Sequence, residues 1–197
     1  MIESQEHKMK QRIITGLIVA AMGSVALLSM EAHAADGTIT FTGTVSDTTC
    51  SINGVTSGSP ADIAVTLPTV PAGSLASAGA VAGTTNSGAI QMQLSGCSGV
   101  ATKAVAHFEN GTTVDQANGY LVNQSTTTPA KNVEIRLLNA NMQPINILNG
   151  SNNDVATNGA AISGGSATVN YFAQYYATGK AQAGSVTSSV QYTMQYQ

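Results

Sequence analysis

Chemistry in this chain would have to come from a short inventory: Cys50 and Cys97, His107, and the carboxylates Asp36, Asp47, Asp62, Glu109, Asp115, Glu134 and Asp154. A zinc centre needs several His, Cys or carboxylate ligands at close spacing. His7 and His33 fall in the first 34 residues, which leaves His107 alone in the rest of the chain. A Ser-His-Asp triad would need that same histidine, but it sits in the alternating run Val105-Ala106-His107-Phe108 and reads as a solvent-facing strand position. No nucleophile-elbow pattern surrounds any serine. Paired-carboxylate hydrolysis requires two acids brought to one cleft, and nothing in the spacing of these seven suggests such a pair. The residues point to no catalytic set, no metal site and no cofactor.

The two cysteines carry the remaining chemistry. An even count in an exported chain reads as one disulfide, Cys50 to Cys97, with two buried free thiols as the alternative. Closing a loop of this size stabilises a fold by about 4 kcal/mol on the chain-entropy view. Joined sulfurs also leave no thiol for covalent catalysis.

Export is read from the first segment. Lys8, Lys10 and Arg12 precede an apolar stretch over 13–30 and then Ala32-His33-Ala34, the order of a secretory signal with a small-residue cleavage site. The expectation is a signal peptide over 1–34, cleaved after Ala34, with Met1 or Met9 as the start. Thr15, Gly16, Gly23 and Ser24 dilute the stretch as a membrane anchor. The rest of the chain suits one domain. Its cations, Lys103, Lys131, Arg136 and Lys180, are scattered singly in a chain of net charge −3, so no basic stripe awaits a nucleic acid.

The elements that position these residues are strands. Thr, Ser, Val, Ile, Tyr, Gly and Asn crowd the chain, short apolar runs alternate with period two, and no helical period is sustained. Gly37, Ile39, Phe41, Gly43 and Val45 share one parity and threonines the other. Ile90, Met92 and Leu94 repeat the pattern before Cys97, as do Val133, Ile135 and Leu137. A strand-like 144–147 follows, and the last runs are 169–176 and 185–197. Residues 71–88 form the longest loop-like stretch, either a surface loop or one hiding a short helix. Asn123-Gln124-Ser125 and Asn149-Gly150-Ser151 are chance sequons in a chain rich in Asn and Ser. Seven or so short strands with a disulfide indicate an all-β, immunoglobulin-like sandwich.

The two ends are unusual. Termini fray unless tied down, yet an apolar-alternating strand precedes the first cysteine. At the other end Gly184, Val186, Ser188, Val190, Tyr192, Met194 and Tyr196 share a parity up to the final Tyr196-Gln197. Either the ends pair within one chain or something else binds them.

The run Gly37-Thr38-Ile39-Thr40-Phe41-Thr42-Gly43-Thr44-Val45 before Cys50, the alternation over 90–94 before Cys97, Asn132-Val133-Glu134-Ile135-Arg136-Leu137-Leu138, and Tyr175-Tyr176-Ala177-Thr178-Gly179 occur in one order. With Gly184 fourteen residues from the end and Tyr196 penultimate, the whole exported part resembles the chaperone–usher pilins, in particular the major subunits of type 1 fimbriae. The resemblance implies an incomplete immunoglobulin-like β-sandwich, completed by a donor strand from a neighbouring subunit. It implies a donor extension over 35–48 carrying Gly37, Ile39, Phe41, Gly43 and Val45, and a pilin domain over 49–197. It further implies a groove beside the C-terminal strand, formed by Gly184, Val186, Val190, Tyr192, Met194, Tyr196 and Gln197. The implied partners are copies of the chain and other pilus subunits, a periplasmic chaperone and an outer-membrane usher. The implied location is the fimbria at the cell surface, where the fibre supports adhesion. Tyr192 and Met194 depart from the usual apolar residues of that strand. The alternative is a minor or tip subunit that itself binds a host glycan.

Overall fold

The structure, a computed structural model, describes residues 39–43, 45 and 47–197. The chain divides into two units, Met1–Gly43 and Thr44–Gln197. Of the first, only 39–43 is described, and Gly37 and the expected signal peptide lie outside the described residues.

The second unit is two packed sheets. In chain order the strands are β1 (Ser51–Ile52), β2 (Val81–Ala82), β3 (Ile90–Ser95), β4 (Lys103–Phe108), β5 (Leu121–Val122), β6 (Lys131–Leu138), β7 (Ala160–Ala161), β8 (Ala167–Gln182) and β9 (Tyr192–Tyr196). One helical turn, α1 (Val155–Asn158), is capped by the Asp154 side chain, which accepts from the Thr157 N–H. The larger sheet runs β1-β3-β8-β6-β5, with β2 also paired to β8, and the smaller runs β7-β4-β9. All paired strands are antiparallel, and the two-sheet layout matches the expected sandwich.

Alternation explains the core. Ile90, Met92 and Leu94 on β3, Ile135 and Leu137 on β6, and Val169, Tyr171 and Ala173 on β8 all turn one way. They meet Ala104, Ala106 and Phe108 of β4. A buried polar node stitches the sheets: the Tyr171 hydroxyl accepts from the Ala106 N–H at 2.9 Å and donates to Asn153 Oδ1 at 3.1 Å. The Asn153 amide donates to the Ala106 carbonyl. Such groups are tolerated inside because each finds a partner.

The loop-like 71–88 hides a 3-10 turn, Ala72–Leu75, and β2, and Leu75 roofs a small second core of Ala130, Val133, Ala177 and Ala181. The expected strand over 144–147 makes only isolated bridges, Leu138 to Pro144 and Asn146 to Ser151, because Pro144 lacks the N–H a ladder needs. The 169–176 run continues to Gln182 through an irregularity: the ladder against β6 pairs Val133 with Ala177 and then Lys131 with Gln182, a register shift that bulges residues 178–181.

Glu134, on the outward face of β6, is buried. Burial pushes its carboxyl up to about 7; the Asn118 amide, donating at 2.7 Å, opposes this, and the neighbouring Asp115 carboxyl reinforces it. A carboxyl raised in the folded state stabilises the fold below its unfolded value and loses that contribution as pH rises through about 7. We expect urea unfolding to give on the order of 1–2 kcal/mol less stability at pH 8 than at pH 5 after allowing for solvent screening. Glu134→Gln should flatten the profile; an equally steep profile in that variant would assign the effect elsewhere.

Candidate functional site

The site is built from two chain segments that, among the described residues, each leave an edge without a strand partner. The first is 60–70. Ala61, Ile63, Val65 and Leu67 turn towards the core while Asp62, Ala64, Thr66 and Pro68 are exposed, which is the period of an extended strand. It is framed by a turn closed by Ser59 N–H to the Thr56 carbonyl and by the 3-10 turn opened by Pro71. Among the described residues, no backbone hydrogen bond joins 60–70 to any strand. Its near end is fixed by β1 and by the Cys50–Cys97 disulfide, which bridges a sequence separation of 47.

The second segment is 184–197. β9 pairs with β4 on one side only, in the register Phe108 to Tyr192 and Ala104 to Tyr196. Lys103 and Gln197 exchange backbone bonds, and the Glu109 N–H donates to the Gln191 carbonyl. Bonded pairs alternate along an antiparallel ladder, so the odd residues of β9 face β4. Upstream, the Ser185 and Thr187 carbonyls accept from Ala130 and Gln124. The even residues Val186, Ser188, Val190, Tyr192, Met194 and Tyr196 therefore send side chains inward and backbone N–H and C=O groups towards the first segment. Gly184 lies against the chain at 128–130, where a Cβ would collide with the backbone of Thr128, Pro129 and Ala130. The Gln197 carbonyl accepts from the Thr102 and Lys103 N–H groups.

Between the segments lies a cavity of about 670 Å³. Its floor is the sandwich core itself, Met92, Phe108, Ile135 and Leu137, and its walls are the two segments. A second cavity of about 360 Å³ over Leu75, Val133 and Ala181 shares Val186 with the first, extending the groove towards Gly184. Two tyrosines reach from β9 to the opposite side. Burial pushes the Tyr196 hydroxyl up, and the Cys50 backbone beside it acts the other way. The Tyr192 hydroxyl donates to the Ala61 carbonyl at 2.6 Å. Burial also raises the Tyr192 hydroxyl, with the Asp62 charge adding to it. Such a trough, apolar below and lined on both sides by backbone groups that join no strand ladder among the described residues, suits one extended apolar segment.

The expected donor residues have the matching character. Ile39 is 81 %, Phe41 89 % and Val45 100 % exposed, large apolar side chains without cover. No strand is assigned over 39–43. His107 is half-exposed on β4, 4.0 Å from Glu109. Sequence reading missed the wall formed by Ala61, Ile63, Val65 and Leu67, although their alternation was there to be read.

Residues 39–197 match the family described as "Fimbrial protein". This chain belongs to the fimbrial protein family. The Major fimbrial subunit SMF-1 of Stenotrophomonas maltophilia (strain K279a) is 45 % identical over 175 residues, covering 87 % of this chain and 99 % of that protein. The F17 fimbrial protein of Escherichia coli is 41 % identical over 192 residues, covering 95 % and 99 %. A solved chaperone–usher pilus studied for rod uncoiling shares the fold at a TM-score of 0.50 and 18 % identity, covering 83 % of this chain and 96 % of that one. As a fimbrial protein the chain is a structural subunit of a surface fibre.

Proposed function

We propose that this fimbrial subunit polymerises by donor-strand exchange, its segment 35–48 entering the groove of the next copy. The observation that carries the reading is the pair of unpaired edges, 60–70 and 184–197, flanking an apolar floor. An inserted strand would hydrogen-bond both edges and bury Ile39, Phe41 and Val45, worth about 1.5–3 kcal/mol each. Gly43 suits a shallow place along the trough, and Val45 has the size for the smaller cavity. Removal of residues 1–34 on export would leave this arm free at its end.

An open edge over a bare core is an aggregation hazard. A periplasmic chaperone lending a strand, and an outer-membrane usher exchanging it for an arm, answer that hazard. Arm and groove are different surfaces, so the contact repeats head to tail without closing, and the product is a fibre that supports adhesion.

A synthetic peptide of residues 35–48 tests the reading on a chain beginning at residue 49. At a hundredfold excess over its dissociation constant it should stabilise the chain by about 2.7 kcal/mol, a rise in thermal midpoint of about 5–10 °C. The Phe41→Asp peptide should give almost none of this. An unchanged midpoint with the native peptide would mean a self-contained domain.

A further inference from the structure

Among the described residues, one hydrogen bond crosses the groove from 184–197 to 60–70, that between the Tyr192 hydroxyl and the Ala61 carbonyl. Ala61 turns its side chain into the core and its carbonyl towards β9, so this acceptor is one that an entering strand's N–H would use. Tyr192 also presents its own N–H and C=O to the gap. One residue thus carries both a closing bond and part of the edge an incoming strand must pair with.

Packing does not require the hydroxyl. Val186, Val190 and Met194 line the same wall with aliphatic side chains, and any large apolar residue at 192 would serve alongside them. A phenol in this half-buried place brings a polar group that costs free energy unless partnered, and its partner is the opposite edge.

We propose that Tyr192 is a latch on the groove: its hydroxyl holds the Ala61 carbonyl in the empty subunit and yields it to the backbone N–H of the arm of a second copy. The latch rests on the donor-strand reading above and adds a control on its rate. In the filled groove the arm supplies the bond to Ala61 and the phenol gives up its partner, so the latch slows entry and does not slow departure.

The test uses the purified full exported chain, a fluorescent peptide of residues 35–48, and stopped-flow uptake. Tyr192→Phe keeps the ring and should take up peptide about fivefold faster, the equivalent of about 1 kcal/mol for one net hydrogen bond, with a dissociation rate no higher than that of the native chain. Should that variant not fold, Tyr192→Leu reads the same quantity. Uptake no faster than that of the native chain, or a change confined to dissociation, overturns the latch while leaving strand uptake standing. If neither the native chain nor the variants take up peptide, the donor-strand reading falls and the latch falls with it.

Discussion

Cells whose only copy of this subunit carries Phe41→Asp, or Val190→Asp, should export the chain and display no fibres. In the arm, Phe41→Asp removes burial worth about 3 kcal/mol and asks the groove to accept a carboxylate, a cost of several kcal/mol more. With tenfold in affinity for every 1.4 kcal/mol, the loss is on the order of a thousandfold or greater. Val190→Asp places the same charge in the wall, beside Phe108 and Met194. The two variants fail at opposite faces of the contact. A Phe41→Asp subunit accepts an arm and gives none, while a Val190→Asp subunit gives an arm and accepts none. A minority of either mixed with native subunits should therefore shorten fibres, and the two together should stop at pairs. Electron microscopy of sheared fibres, with immunoblots of periplasmic protein, checks both statements. Normal fibres from either variant would falsify the arm-and-groove account.

Replacing both cysteines by serine should lower stability by about 4 kcal/mol in urea, the loop-entropy value for a bridge of this span. The loss should be felt beyond the global fold. β1 is two residues long, and from residue 60 to 70 no ladder holds the chain among the described residues. Without the bridge, the near end of that edge depends on β1 and on the Thr49–Ser98 bonds beside it. Amide hydrogen exchange should rise first over 51–67 and later elsewhere. A cost below about 1 kcal/mol would mean that the unfolded chain is already compact enough to make the tether redundant.

What could be read from the sequence follows from what alternation encodes. The parity of 184–196 announced an apolar row because β9 and its approach keep strict period two, and the same holds for β3 and β6. Residues 60–67 carry the identical signal in weaker form: Ala61 and Ala64 blur the contrast, and the Gly, Ser and Pro around 57–60 suggest a loop. Residues 71–88 were opaque because a 3-10 turn and a two-residue strand leave almost no periodicity. Which edges go unpaired depends on topology, a property of the whole sheet order rather than of any segment. Nor could the bond between Tyr192 and Ala61 be read, since it joins residues 131 apart. Phenylalanine at 192 would fit the same pattern.

The disulfide also decides how a fibre would bear tension. Force arriving along an arm would enter the folded body at Thr48 and Thr49, which bond Ala101 and Ser98, and then reach β1, whose two-residue pairing would peel open bond by bond. The Cys50–Cys97 bridge diverts the load through a covalent link to the chain just beyond β3, a strand zipped to β8 over five register pairs. With that link intact, peeling β1 releases no length between the arm and β3, so a pulled fibre should give way between its subunits before it gives way within one.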